Sequence, residues 1–133
     1  MRYILDSNTC IFLIKKKPEN VLKRLKAAMQ DGIAMSAITL AELEFGIAKS
    51  EHKQKNADAL AQFLSIVDIL PFESKAAIAY GEIRADLQRK GLVIGSLDML
   101  IAAHAKACNL ILVTNNVQDF GRVEGLRIED WVN

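Results

Sequence analysis

The sequence predicts an α/β protein with a parallel sheet covered by helices. Short apolar runs rich in strand-forming residues alternate with longer stretches whose apolar positions recur at helical spacing. The connections between successive runs are too long for hairpins, so the strands they join are expected to lie parallel. At 133 residues and 51% hydrophobic content the chain can bury a real core but falls short of two ordinary domains, so residues 1–133 are expected to form one.

Tyr3–Leu5 reads as the first strand, and Ser7–Lys15 as a helix starting just after it. Pro18 suits the start of a second helix, with Val21, Leu22, Leu25, Ala28 and Met29 on one face. Asp31-Gly32 punctuates the chain before a short strand, Ile33-Ala34-Met35. Thr39 and Glu42 match a capping box, which places a helix from Thr39 to about Ser50. A further helix from about Lys53 to Ser65 leads into a strand, Ile66–Leu70, that Pro71 ends. Ser74 to Lys90 is a long amphipathic helix with Gly91 as its C-terminal cap. Ser96 is expected to cap a helix from Leu97 to about Cys108, whose apolar residues imply deep burial of one side. Leu110–Val113 is strongly strand-like, with Thr114-Asn115-Asn116 at its carboxyl end. A turn or short helix through Phe120 and a last strand around Leu126–Ile128 complete the series.

Composition excludes several classes. Charged residues make up 25% of the chain, a globular rather than disordered balance. No apolar run approaches the ~20 residues that cross a bilayer, and no signal-peptide pattern opens the chain. Cys10 and Cys108 sit far apart in apolar contexts and read as buried, reduced thiols, which fits a cytoplasmic protein without a membrane partner. The formal charge of +1 says little about partners, but Lys15-Lys16-Lys17 with Lys23, Arg24 and Lys26 is a basic concentration, and Arg84, Arg89 and Lys90 form another. Any single lysine among them is better read as solvated helix surface.

Three acids share a type of position. Asp6 follows the first strand, Glu42 follows the second through a short turn, and Asp98 lies in the first turn after Ser96; Asn116 sits just past the strand Leu110–Val113. Each acid has an ordinary explanation: Asp6 as a helix cap, Glu42 as the partner of Thr39, Asp98 as a favourable charge near a helix N-terminus. Together they converge on the carboxyl edge of a parallel sheet, where ligands bind. Carboxylates brought that close repel one another unless a cation sits among them. Oxygen ligands without clustered His or Cys select a hard ion, Mg2+ or Mn2+, and phosphodiester hydrolysis suits that constellation best. Dehalogenase-like phosphatases also place an aspartate after the first strand, but they need a second one two positions on, where this chain has Asn8.

Taken in order, Leu5-Asp6-Ser7-Asn8, Ser36-Ala37-Ile38-Thr39-Leu40-Ala41-Glu42, Ser96-Leu97-Asp98-Met99-Leu100-Ile101-Ala102-Ala103-His104, and Thr114-Asn115-Asn116 with Asp119-Phe120 resemble the PIN-domain ribonucleases. The likeness is greatest to the VapC toxins of bacterial toxin–antitoxin pairs, and it extends over nearly the whole chain to Trp131. The resemblance implies a three-layer α/β/α sandwich with a central, mainly parallel sheet. It implies an endoribonuclease dependent on Mg2+, with Mn2+ as a substitute, whose metal ligands are Asp6, Glu42 and Asp98. Asn116 falls at a fourth catalytic position that is acidic in many members, while Asn8 and Thr114 match residues that support the site. It further implies cleavage of structured RNA, foremost tRNA, with inhibition of translation, a homodimer, and inhibition by a VapB-type antitoxin. Ser7 replaces the commoner threonine, the segment Leu92–Ser96 lacks the prolines often found there, and Asn116 carries no charge. The alternative is a protein of the same fold that has lost cleavage and only binds RNA or partners.

His104 invites a catalytic role, yet it lies on a mostly apolar helix six residues from Asp98, which is not a same-face spacing. A structural or partner-contact role is the better reading. Glu44 falls on a different helix face from Glu42, and Glu82 lies in the middle of a long helix. Trp131 is expected to hold the last segment down.

Overall fold

In the computed structural model, which describes residues 1–133, five short strands pair into one sheet: β1 (Tyr3–Leu5), β2 (Ile33–Ser36), β3 (Asp68–Leu70), β4 (Ile111–Val113) and β5 (Ile128–Glu129). Their spatial order is β3-β2-β1-β4-β5, and every neighbouring pair is parallel. The chain builds outward from β1 to β3, then crosses back and continues from β4 to β5. The order therefore reverses between β1 and β4. In an open parallel sheet, that reversal opens a crevice at the carboxyl ends of the two strands.

Two buried layers follow from the two-residue period of the strands. Tyr3, Leu5, Ile33, Met35, Ile111 and Val113 face one way, against α1 (Ser7–Lys15), α2 (Glu19–Ala28), α3 (Ala37–Ala48) and α4 (Lys53–Leu64). Ile4 and Leu112 face the other way, against α5 (Ser74–Lys90), α6 (Ser96–Ala107) and the short α7 (Val117–Phe120). Helices on both faces make the α/β/α sandwich that the sequence predicts. No helix is long and apolar enough to cross a membrane.

The largest correction concerns α3. Thr39 is not its N-cap, because β2 passes into the helix without a loop and the last strand residue, Ser36, takes that place. The Ser36 hydroxyl accepts a hydrogen bond from the Ile38 amide at 3.1 Å. Thr39 lies one turn inside, buried, and its hydroxyl has no hydrogen-bond partner. Ser36→Ala is therefore expected to cost about 1 kcal/mol or more through the lost cap, while Thr39→Val stabilises by about 1 kcal/mol by removing a buried orphan hydroxyl. Urea unfolding of the two variants checks this; the opposite ranking would restore the capping box.

Other boundaries move by one or two residues. Gly95, not Ser96, is the N-cap of α6; β3 begins at Asp68 rather than Ile66, β4 at Ile111, and β5 spans Ile128–Glu129. Cys10 is buried as expected, but Cys108 is exposed, because it lies just past the end of α6 where the helix leaves the core. Both thiols are free.

Candidate active site

Asp6 leaves β1 at the reversal and serves two structural functions at once. It is the N-cap of α1, with Oδ1 accepting from the Thr9 amide at 2.8 Å, and its own amide donates to the Val113 carbonyl of β4 at 3.1 Å. The Thr9 hydroxyl also donates to that carbonyl, at 3.0 Å, so the start of α1 is tied to the end of β4. Capping does not exclude the chemical role, since a carboxylate has about four acceptor sites and the cap uses one.

The other residues arrive from three helices and the turn before α7. Ser7, in the first turn of α1, donates its hydroxyl to Glu42 Oε1 at 2.8 Å, which joins α1 to α3. Because Ser36 rather than Thr39 caps α3, Glu42 is not spent on a capping box and holds its carboxylate toward the cleft. Asp98 stands in the first turn of α6. Asn116 precedes α7; its amide N–H donates to the Thr114 hydroxyl at 3.0 Å and its side chain donates to Asp119 Oδ2 at 3.3 Å.

Asp6, Glu42, Asp98 and Asn116 line one cleft of about 150 Å3, together with Ser7, Asn8, Ile101 and Phe120. All four predicted site residues are thus brought together. Ser7 was not foreseen as part of the site, although its place directly after Asp6 was a usable signal. Ile101 and Phe120 form an apolar wall that strand-end reasoning could not find. Glu44 and Glu82 are exposed and outside the cleft. A larger depression of about 790 Å3 lies at the other end of α6 from Asp98; there Asp86 pairs with Arg89 and Lys90, and Glu124 with Lys90.

The electrostatics confirm the crowding of acids. The Asp98 carboxyl is raised above its ordinary value by burial and then by the charges of Asp6, Glu42 and Asp119. Asp6 is raised by burial, which outweighs the hydrogen bonds from Thr114 and Thr9 that pull it down; the charge of Asp130 adds to the rise. A raised carboxyl favours the folded state in its protonated form, so that contribution is complete below the unfolded value and lost as pH rises through the folded one. At neutral pH an ionised Asp98 therefore costs stability. In EDTA, Asp98→Asn is expected to melt above the unsubstituted protein at neutral pH, and the gap should close as pH falls into the carboxylate range. Taking the difference between two proteins cancels His104, whose lowered pKa acts in the opposite direction in both. Thermal melts across pH test this; a gap that widens on acidification would contradict the repulsion.

The donor set fits a hard cation. Every polar group facing the cleft offers oxygen or amide, and two of the acids are destabilised when charged. No three acidic, imidazole or thiol groups stand close enough to form a ready-made cage. A hydrated Mg2+ does not require such a cage, since it keeps several waters and takes only one or two carboxylates directly.

Comparison with known proteins identifies the family and its fold. A family model described as the PIN domain matches residues 3–126. The chain is 45% identical over 132 residues to Ribonuclease VapC2 of Rickettsia felis, with 98% of each chain covered. It is 43% identical over 131 residues to the tRNA(fMet)-specific endonuclease VapC of Salmonella typhimurium, again with 98% of each covered. Among solved structures, the crystal structure of VapBC2 from Rickettsia felis bound to a DNA fragment from their promoter contains a chain that superposes with a TM-score of 0.94 at 43% identity, covering 98% of this chain and 99% of that one.

Proposed function

The chain belongs to the PIN-domain family, among its VapC-type ribonucleases, and from that membership and the acid-lined cleft we propose that it is the toxin of a toxin–antitoxin pair: a Mg2+-dependent endoribonuclease that cuts tRNA and so stops translation. The observation that carries the reading is the convergence of Asp6, Glu42 and Asp98 on one cleft where the strand order reverses. The tRNA(fMet) specificity in the name of the Salmonella relative supports tRNA as the substrate class. Residues 1–133 act as one PIN-like unit in the cytoplasm, where that substrate is found. Membership also supports a homodimer held inactive by a VapB-type antitoxin, in keeping with the VapBC assembly of the Rickettsia relative.

Asp6, Glu42 and Asp98 would hold the cation, Mg2+ or in its place Mn2+. When bound, it supplies Lewis-acid polarisation of the phosphate and eases the loss of a proton from water. The protein's own groups do the rest. The Thr9 amide fixes the Asp6 carboxylate, and Ser7 fixes one oxygen of Glu42, so neither acid must reorganise as charge builds up. An ionised carboxylate of this set accepts the proton of the attacking water while the oxygen bonds to phosphorus and one ester P–O bond breaks. Asn116 stands at the fourth position without charge; it holds Asp119 through its amide and adds no further repulsion to the cleft.

Incubating the purified chain with a tRNA pool tests the proposal. Discrete fragments are expected in Mg2+, and none after EDTA, with recovery when the ion is restored. Intact tRNA under all metal conditions, with binding retained, would instead leave an RNA-binding protein of the same fold.

A further inference from the structure

His104 is among the most deeply buried polar side chains of the protein, 1% exposed, and nothing in the reaction uses it. Its Nδ1 lies 2.8 Å from the hydroxyl of Ser36, which is fully buried. That hydroxyl already accepts from the Ile38 amide. One hydrogen bond joins the two groups, with the hydroxyl or the Nδ1–H as its donor according to the imidazole tautomer. Phe72 meets the ring edge-on, with centroids 5.5 Å apart, so the imidazole is held by packing as well as by the hydrogen bond.

The two ends of this bond belong to the two helices that carry Glu42 and Asp98. Ser36 is the N-cap of α3, six residues before Glu42; His104 lies in α6, six residues after Asp98. Each acid is therefore about 9 Å along its helix axis from a common fastening point. The Ser7–Glu42 bond ties α3 to α1, but Asp98 has no side-chain hydrogen bond of its own. Its place relative to Glu42 depends on how α6 is seated against α3. We infer that His104 is a positioning residue for the cleft: by bonding the N-cap of α3 it fixes α6 and so sets the separation of Asp98 from Glu42. This rests on the reading of those acids as the cation site. A directional hydrogen bond between the two helices adds a fixed register to the apolar packing of Met99, Ile101 and Ala105 that seats α6.

Mn2+ titration of the metal-free protein, followed by electron paramagnetic resonance, tests the inference without relying on activity. His104→Phe keeps the bulk and removes the hydrogen bond; it should weaken Mn2+ binding by about tenfold or more. His104→Asn places an amide where Nδ1 was, able to accept or donate, and should recover most of that loss. Ser36→Ala removes the other end of the bond, serves if the phenylalanine variant does not fold, and should add little to His104→Phe in the double variant. Leu60→Ala, in the α4 core, lowers stability without touching the bond and should leave Mn2+ affinity unchanged. Wild-type affinity in folded His104→Phe or Ser36→Ala, or an equal loss in Leu60→Ala, would overturn the inference. Absence of Mn2+ binding by the unsubstituted protein would remove the cation site itself, and this inference with it.

Discussion

Asp6→Asn is expected to abolish RNA cleavage, lowering the rate by at least about a hundredfold, while the protein melts at the same temperature or higher in EDTA. The two halves of this result have separate causes. Asparagine is as good an N-cap as aspartate, so the bond to the Thr9 amide and the start of α1 survive. Burial holds the Asp6 carboxyl above its ordinary value, so the ionised form is a cost to the fold that the neutral amide removes. Chemistry needs the charge that stability would rather lose. On the proposed cation site the balance reverses: Mg2+ should raise the melting temperature of the unsubstituted protein and raise that of Asp6→Asn less. Cleavage assays beside thermal melts with and without Mg2+ measure all of this. Undiminished cleavage by a folded Asp6→Asn would remove Asp6 from the site, and a lower melting temperature in EDTA would mean that the capping bond outweighs the burial of charge.

How much of this site could be read from residues alone differs from acid to acid. Asp6 was legible because an apolar run, Tyr3–Leu5, points straight at it, and strand period and strand end are local properties. Asp98 was legible for a similar reason, as an acid in the first turn of a strongly apolar helix. Glu42 was placed in the right element but with a wrong partner. The Thr39 capping box is a valid local pattern, and what defeats it is the parallel pairing of β2 with β1 and β3, which extends the strand to Ser36 and starts the helix there. That is a tertiary cause, invisible to a window of four residues. The same limit applies to Ser7 and to His104, whose partners lie 35 and 68 residues away in the chain. Cys108 went wrong at a helix end, where a shift of one residue decides between core and solvent. Element types come from periodicity, and periodicity is in the sequence; hydrogen bonds between elements come from topology.

Trp131→Ala is expected to cost about 3–5 kcal/mol of folding stability, the range for a large aromatic truncated to a cavity. Against a total of about 5–15 kcal/mol this is a large fraction, and it corresponds to a fall of roughly 10–20 °C in melting temperature for a chain of this size. Trp131 is 2% exposed despite lying two residues from the end of the chain. It meets Tyr3 of β1 edge-on, with centroids 5.5 Å apart, and its indole N–H donates to Glu129 Oε1 at 3.0 Å. Arg24 reaches the same carboxylate at 3.0 Å, but that pair is solvent-exposed and contributes little. The tryptophan therefore reinforces the pairing with β4 that holds the two-residue strand β5 to the sheet. The fastening matters for chemistry because the Thr114 amide donates to the Glu129 carbonyl at 3.0 Å, and the Thr114 hydroxyl accepts from the Asn116 amide at the cleft. Loosening β5 loosens Thr114, so cleavage by Trp131→Ala should fail at temperatures where circular dichroism still reports a folded protein. Trp131→Phe keeps the ring against Tyr3 and loses only the bond to Glu129, which should cost about 1 kcal/mol. A melting temperature for Trp131→Ala within a few degrees of the unsubstituted protein would show that the closing segment stands without it. Loss of activity only at the global melt would uncouple β5 from the site.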